Sequence, residues 1–249
     1  YEEGIKDPVG MSGVKLEADF HVITAQTNAI NNINKCVRRA GLEIENLILE
    51  PLASSLAVLS EEEKEAGVCL VDIGGGTTDI AIFYDNIIRH TAANPNEIIS
   101  IPGLRNRAPK EISVKNLAHV IEARMEEIIE MVHTEIITSG FQHKLAGGIV
   151  VTGGGSQLAC VQQLFEYMSG MDSRIGYPNE HLGKGKLETV KSPMYATTVG
   201  LVLSGFRALD ERENRYNEKS LHKPVAGKSI TRRDLTVPKN FFNNMLEKT

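Results

Sequence analysis

Two glycine-rich strings hold the residue types that could do chemistry. The first is Asp72-Ile73-Gly74-Gly75-Gly76-Thr77-Thr78-Asp79. Three consecutive glycines permit backbone angles that a Cβ disfavours. Their N–H groups can turn together onto an anion, as in a phosphate-binding nest. Thr77 and Thr78 add hydroxyl donors at the same turn. Asp72, just before the glycines, would face a bound phosphate or its Mg2+ through metal-bound water. An Asp in such a turn can instead bond only to local backbone N–H groups. The complete D-x-G-G-G-T-T-D string favours the phosphate role for Asp72; for Asp79 the two readings stand level. The second string is Gly153-Gly154-Gly155-Ser156. It follows a buried apolar run and precedes helical periodicity, so it could hold an anion at a helix N-terminus. Glycine turns are common, and the weight comes from the pair: two strands, each ending in three glycines, as if from two sides of one nucleotide.

The elements around these strings follow from local pattern. Val68–Ile73 is short, apolar and rich in β-branched residues, and reads as a buried strand. Asp79–Tyr84 and Ile87–Ala92 read as further strands joined by a tight turn at Asp85-Asn86. Strand, glycine turn, strand, hairpin, strand is a meander, which argues against a Rossmann or P-loop site, where the glycine turn opens a helix. Before it, residues 14–24 read as an edge or sheet strand, Asn28–Ala40 as a helix with Ile30, Ile33 and Val37 on one face and Gly41 as its stop, Ile44–Leu49 as a strand, and Leu52–Glu65 as a helix opened by Pro51, with Leu52, Leu56 and Leu59 inward. After it come a strand at Glu97–Ile101, a basic loop from Pro102 to Pro109, and a long helix, Val114–Ser139, capped by Ser113 and stopped by Gly140. That helix places Leu117, Ile121, Met125, Ile128, Val132 and Ile136 on one face. A strand at 148–152, a helix at Leu158–Met168, a strand and turn at Arg174–Pro178 and a helix at Tyr195–Leu209 complete the ordered part. Gly200 and Gly205 would let that last helix approach the sheet closely. From Asp210 the composition turns polar and reads as a linker or tail; at its end Phe241, Phe242, Met245 and Leu246 fall on one helical side, either as a small surface helix or as a packed terminal turn.

Composition bounds the alternatives. The 249 residues suffice for one large domain or two smaller ones with a real core. A net charge of -5 gives no reason to expect nucleic acid as a partner. Cys36, Cys69 and Cys160 form no C-x-x-C pair and read as reduced structural thiols of a cytosolic protein. No apolar run is long enough to span a bilayer, and the N-terminus is not a signal peptide.

The first string resembles the second phosphate loop of the actin-like ATPase superfamily. A wider set of strings, including GLEIENLILEPLASSLAVL, VDIGGGTTDIAIF, EIISIPGLRNRAPKEIS, VIEARMEEI, GGIVVTGGGSQL, SRIGYP and YATTVGLVLSG, resembles the cell-division FtsA family in a form like that of the Bacteroidetes. The resemblance runs in family order over most of residues 4–209. It implies an α/β, actin-like (ribonuclease-H-like) ATPase fold with mixed sheets flanked by helices, incomplete in this chain. It divides the chain into the end of a small subdomain (1–27), a remnant of a first lobe (28–66), a second lobe (67–95 and 146–209), an inserted subdomain with the long helix (96–145), and a C-terminal linker and tail (210–249).

The same resemblance implies a filament-forming scaffold with at most weak ATPase activity. It would lie on the cytoplasmic face of the inner membrane at the division septum, reach the membrane surface through the C-terminal helix, bind ATP and Mg2+, and tether the FtsZ C-terminal tail among other division proteins. By position, Gly74, Gly75, Gly76, Thr77 and Thr78 match the phosphate loop. Asp72 matches the carboxylate near the metal, and Gly153, Gly154, Gly155 and Ser156 match the adenosine loop. Arg124 matches a basic position that grips the acidic FtsZ tail, with Lys115 two turns earlier assisting; on the residues alone, Arg124 pairs with Glu127 or Glu122 on a solvated face. Against the family pattern the first phosphate loop is mostly absent, and near Asn94–Asn96 a segment is either deleted or skipped where two pieces are joined, so the chain as given carries about half of an ATP site. A pilus-assembly PilM-like homologue and a small-molecule kinase of the superfamily are the alternatives. No β-rich peptide-binding domain follows Leu209, which weighs against a DnaK-type chaperone.

Overall fold

Strand β1 (Val68–Ile73) is buried along its whole length and alternates its side chains between two helical layers. Val68 and Leu70 pack toward one layer with Ala57, Val58, Leu59, Ala196 and Val199. Cys69, Val71 and Ile73 pack toward the other, with Met125, Ile129, Val132, Ile136 and Phe165. The result is a three-layer α/β/α sandwich around one mixed sheet. The computed structural model describes residue 5 and residues 10–18, 20–95, 114–178 and 188–221. The chain divides into two units, Tyr1–Arg207 and Ala208–Thr249; the sandwich belongs to the first.

The expected meander is present. β1 pairs antiparallel with β2 (Thr77–Tyr84), and β2 pairs antiparallel with β3 (Ile87–Pro95). Asp85 (φ 56°) and Asn86 (φ 58°) both take the left-handed conformation that a type I′ hairpin requires. On the other side β1 pairs parallel with β4 (Ile149–Thr152), which pairs parallel with β5 (Ser173–Ile175), so the sheet order is β3-β2-β1-β4-β5.

Six α-helices are seen among the described residues: α1 (Thr27–Arg39), α2 (Glu50–Val58), α3 (Glu61–Ala66), α4 (Val114–Ser139), α5 (Val161–Ser169) and α6 (Ala196–Leu221). α2 and the start of α6 cover one sheet face; α4 and α5 cover the other. α1 ends in a Schellman motif, with Gly41 at φ +76° and bonds from Gly41 N–H to Arg38 O (3.0 Å) and Leu42 N–H to Val37 O (3.2 Å). α4 keeps the bounds expected for it. Although 96–145 was expected as an inserted subdomain, the C-terminal half of α4 packs in the same core as the sheet.

Several expectations are corrected. Residues 14–24 and 44–49 form no strand where described; the described side chains of 14–24 are exposed, those of 44–49 are exposed or half-buried, and no neighbouring strand pairs with either segment. The helix expected over Leu52–Glu65 is two helices. Ser60 breaks it with a capping box, accepting from Glu63 N–H while Glu63 accepts from Ser60 N–H. The break is pinned by Arg174 of β5, which bonds both Glu63 carboxylate oxygens at 2.7 Å and Val58 O at 2.8 Å. Burial would raise the Glu63 pKa, but the bonds from Arg174 and Ser60 hold it below the usual range. The helix expected from Leu158 starts at Val161, after a 3-10 turn at Gly154–Gln157 and a left-handed Cys160. Leu117 and Ile121 of α4 are exposed rather than inward, as are Cys36 and Cys160; only Cys69 is a core thiol, its pKa pushed up to about 12 by burial. α6 continues past Leu209 to Leu221, where a linker was expected, because Ala208–Leu221 contains no Pro or Gly to stop it. The expected strand at 97–101, the loop at 102–109, the Ser113 cap and the terminal segment 238–248 lie outside the described residues.

Gly200 has a packing role and Gly205 does not, which corrects the expectation that both serve close approach. A Cβ on Gly200 would overlap the Ala53 carbonyl of α2, so this glycine sets the α2–α6 distance; a Cβ on Gly205 meets nothing within 4 Å. Gly200→Ala should therefore destabilise the fold by about 1–3 kcal/mol through overpacking. Gly205→Ala should be neutral or gain up to about 1 kcal/mol from helix propensity. Chemical denaturation followed by circular dichroism measures both, and equal effects would contradict this packing.

Candidate functional site

The apolar stripe of the α2–α6 face ends in polar side chains at one edge. Along β1 that face shows Val68, Leu70 and then Asp72; along β2, read backward, it shows Phe83, Ala81 and then Asp79; along β4 it shows Val150 and then Thr152. Asp72 pairs laterally with Asp79 on one side and Thr152 on the other, so the three form a row across the sheet. Because β1 and β4 are parallel, Gly74–Gly76 and Gly153–Gly155 leave the sheet side by side at its carboxyl-terminal edge. Ligands of open α/β sheets bind at that edge.

The two turns use their glycines differently. Gly153 has φ +82°, and a Cβ there would overlap Asp72 Oδ1 and the Ile73 carbonyl; a Cβ on Gly155 would overlap the Ile73 side chain. These two glycines let the second turn lie directly on the end of β1. Gly74, Gly75 and Gly76 do not take a left-handed φ, so their expected conformational role is corrected. Gly74 N–H closes the turn on Thr77 O at 2.9 Å. Gly75, Gly76 and Gly154 instead have no atom within 4 Å of a would-be Cβ, leaving open space at the backbone.

The hydroxyls expected as donors are largely committed within the protein. Thr77 Oγ1 donates to Asp79 Oδ2 at 3.0 Å, and Ser156 Oγ donates to Gly153 O at 2.8 Å. Thr78 is buried and lies on the α4–α5 side of β2. Asp72 is 6% exposed, and its Oδ2 accepts from Ser54 Oγ (2.7 Å) and Thr197 Oγ1 (3.3 Å). Burial raises its pKa, opposed by those two bonds. Burial also raises Asp79, opposed by Thr77. Glu50, the first residue of α2, is raised by burial and then by the charges of Asp79 and Asp72. Glu50, Ser54 and Thr197 were not singled out from sequence. Glu50 and Ser54 sit one helical turn apart within an apolar helix, and their shared direction toward Asp72 is a tertiary fact.

A cavity of about 450 Å³ adjoins the Gly153–Ser156 turn, lined by Ser156, Gln157, Tyr177, Lys191, Ser192 and Pro193. ATP with Mg2+ fits the residues present. Open backbone at Gly75, Gly76 and Gly154 gives phosphate room to approach, and the carboxylates of Asp72, Asp79 and Glu50 repel one another where a cation would relieve them. Among the described residues no group of three or more His, Cys, Asp or Glu is placed to hold a metal; a single carboxylate such as Asp72 can still meet a hard cation through the cation's hydrating waters. Arg124 lies elsewhere, on α4, and donates to Glu127 Oε2 at 2.5 Å; Lys115 is exposed on the same helix.

Residues 91–200 match the family model for cell division protein FtsA, and residues 1–24 match that of the SHS2 domain inserted in FtsA. The chain is 41% identical over 244 residues to the FtsA of Pseudomonas aeruginosa, and 36% identical to those of Neisseria meningitidis and Escherichia coli K12. The chain belongs to the FtsA family. The matches cover 83%, 80% and 82% of this chain but only 58%, 57% and 59% of those relatives, so the chain spans a little over half the length of the FtsA proteins it matches. Residues 25–86, which hold α1 to β2, also match the Hsp70 protein model. Two solved structures share the fold: MreB5 of Spiroplasma citri bound to ADP (TM-score 0.55, 16% identity, 76% of this chain and 68% of that one) and the PilM–PilN type IV pilus biogenesis complex (TM-score 0.55, 19% identity, 73% and 59%). The fold is therefore actin-like, with a mixed sheet flanked by helices.

The raised pKa of Asp72 carries a stability consequence. Its native pKa lies above its unfolded one, so the ionised carboxylate destabilises the native state at neutral pH; that cost shrinks as pH falls below the native pKa and is gone below the unfolded one. Asp72→Asn, whose carbonyl oxygen still accepts from Ser54, should raise the melting temperature at pH 7 by a few degrees, with the margin over wild type shrinking on acidification. Thermal melts across pH check this; a lower melting temperature at pH 7 would mean that the hydrogen bonds to the carboxylate outweigh its desolvation.

Proposed function

We propose that this FtsA-family chain is the nucleotide-holding part of an actin-like cell-division scaffold. It binds ATP with Mg2+ at the edge where its two glycine turns meet. The observation that supports this most is the parallel pairing of β1 with β4, which brings both turns and the Asp79–Asp72–Thr152 row to one crevice. Gly75, Gly76 and Gly154 offer backbone to the phosphates. Asp72 faces the hydrated metal, with Glu50 and Asp79 adding negative charge beside it. The cavity beside Ser156 takes the nucleoside, with Tyr177 and Lys191 on its wall. Bound Mg2+ would supply charge neutralisation between the phosphates and these carboxylates.

In this reading ATP acts as a ligand that favours self-association into filaments, with hydrolysis slow at most. The scaffold tethers the FtsZ C-terminal tail at the cytoplasmic face of the membrane, at the septum, beside other division proteins. Residues 238–248 serve the membrane surface, and residues 1–27 belong to the end of the small N-terminal subdomain. Arg124 and Lys115 on α4 present the basic contact for the tail. The Arg124–Glu127 pair is a surface ion pair worth about 0–1 kcal/mol, so an incoming carboxylate can replace Glu127 and gain a bidentate contact.

Arg124→Glu should weaken binding of a labelled FtsZ C-terminal peptide by about tenfold or more, reversing one charge contact while leaving helix content unchanged. Fluorescence anisotropy at low and high salt checks this, with wild-type affinity falling as salt rises. Unchanged affinity in the variant would remove Arg124 from the tail site.

A further inference from the structure

The carboxylate at the crevice is gripped on one oxygen by two different helices. Ser54 Oγ of α2 donates to Asp72 Oδ2 at 2.7 Å, and Thr197 Oγ1, in the first turn of α6, reaches the same oxygen at 3.3 Å. The two hydroxyl oxygens lie 2.9 Å apart, closing a triangle. Ser54 is fully buried and Thr197 half-buried. The other oxygen, Oδ1, lies against the Gly153 turn, where only a glycine leaves it room.

Satisfaction of a buried carboxylate would be served by bonds to either oxygen. Here both helical hydroxyls converge on Oδ2, and Oδ1 is turned toward the glycine turns. An Asp side chain has a broad, nearly two-fold terminal torsion, so without these bonds its carboxylate could rotate away from the crevice. Ser54 also sits one turn after Glu50 on α2, the helix from whose first residue a third carboxylate acts on Asp72 and Asp79.

The geometry points to Ser54 and Thr197 as positioning residues that present Asp72 Oδ1 to the hydrated divalent cation of a bound nucleotide. This rests on the nucleotide reading above. The two hydroxyls touch neither nucleotide nor cation; they act through Asp72. They also tie α2 and α6 to the carboxylate, so a displacement of either helix is felt at the cation position.

The test is titration of a fluorescent ATP analogue into the full chain, once in magnesium and once in EDTA. Wild type should bind more tightly in magnesium. Ser54→Ala and Thr197→Val should each lose about tenfold in magnesium, the scale of one hydrogen bond to a charged group, and change little in EDTA. Thr197→Ser, which keeps the hydroxyl, should retain wild-type affinity. Because Thr197 is only half-buried, Thr197→Val reports even if Ser54→Ala does not fold. Equal losses with and without magnesium, or no loss in magnesium, would overturn the positioning role while leaving nucleotide binding standing. A folded wild type that binds the analogue under neither condition would overturn the nucleotide reading, and this inference with it.

Discussion

The parallel pairing of β1 with β4 is the constraint on which the rest depends. In an antiparallel arrangement the turns after Ile73 and Thr152 would leave opposite edges of the sheet, and neither could complete the other's site. Parallel neighbours require a crossover, and α4 lies between β3 and β4 in sequence and is packed on the sheet face. The start of the pairing is built as tightly as its end. Gly67, at φ +98°, leaves no room for a Cβ against the Lys144 carbonyl, Gly147 N–H bonds to Gly67 O at 2.7 Å, and Cys69 N–H bonds to Gly148 O at 3.0 Å. Glycines thus set the approach of β1 and β4 at both ends: Gly67 and Gly147 where the strands begin, Gly153 and Gly155 where they finish.

Given that register, the chemistry of the edge follows from alternation alone. A two-residue period that buries Leu70, Ala81 and Val150 on the α2–α6 face must put Asp72, Asp79 and Thr152 on the same face one step further along. Two carboxylates are thereby brought side by side at the margin of an apolar core, with Glu50 nearby at the start of α2. Burial raises all three pKa values, and the Ser54 and Thr197 hydroxyls offset part of that cost for Asp72. A row of partly desolvated acids costs stability on its own, and in the nucleotide reading a cation would relieve it. Stability given up at one edge is the expected signature of a site rather than of packing.

What the sequence revealed, and what it hid, follows the range of the interactions. The meander was legible because its signals are local: β-branched runs, a glycine stop, and an Asp-Asn pair suited to two left-handed residues. The bounds of α4 were legible from a 26-residue run of helical periodicity. The site was half legible. The glycine strings and Asp72 announced a phosphate edge, but the hydroxyls of Thr77 and Ser156 proved committed within their own turns, and Thr78 faced the core. Glu50, Ser54 and Thr197 were hidden because each lies in an unremarkable helical context and gains meaning only where α2 and α6 meet β1. The break at Ser60 carried a readable signature, Ser followed three residues later by Glu, but the apolar spacing of Leu52, Leu56 and Leu59 outweighed it. Residues 14–24 show the opposite failure, a pattern resembling a strand with no partner among the described residues to pair with it.

If both glycine turns face one nucleotide, a ligand added to the folded chain must perturb both together. Amide chemical-shift mapping of the nitrogen-15-labelled chain on addition of ATP and magnesium tests it most directly. Concerted, saturable shifts are expected at Gly75, Gly76, Gly153 and Gly154, spreading to Asp72 and Lys191. Saturable shifts confined to one turn, or located at the α4–α5 face away from both, would contradict it.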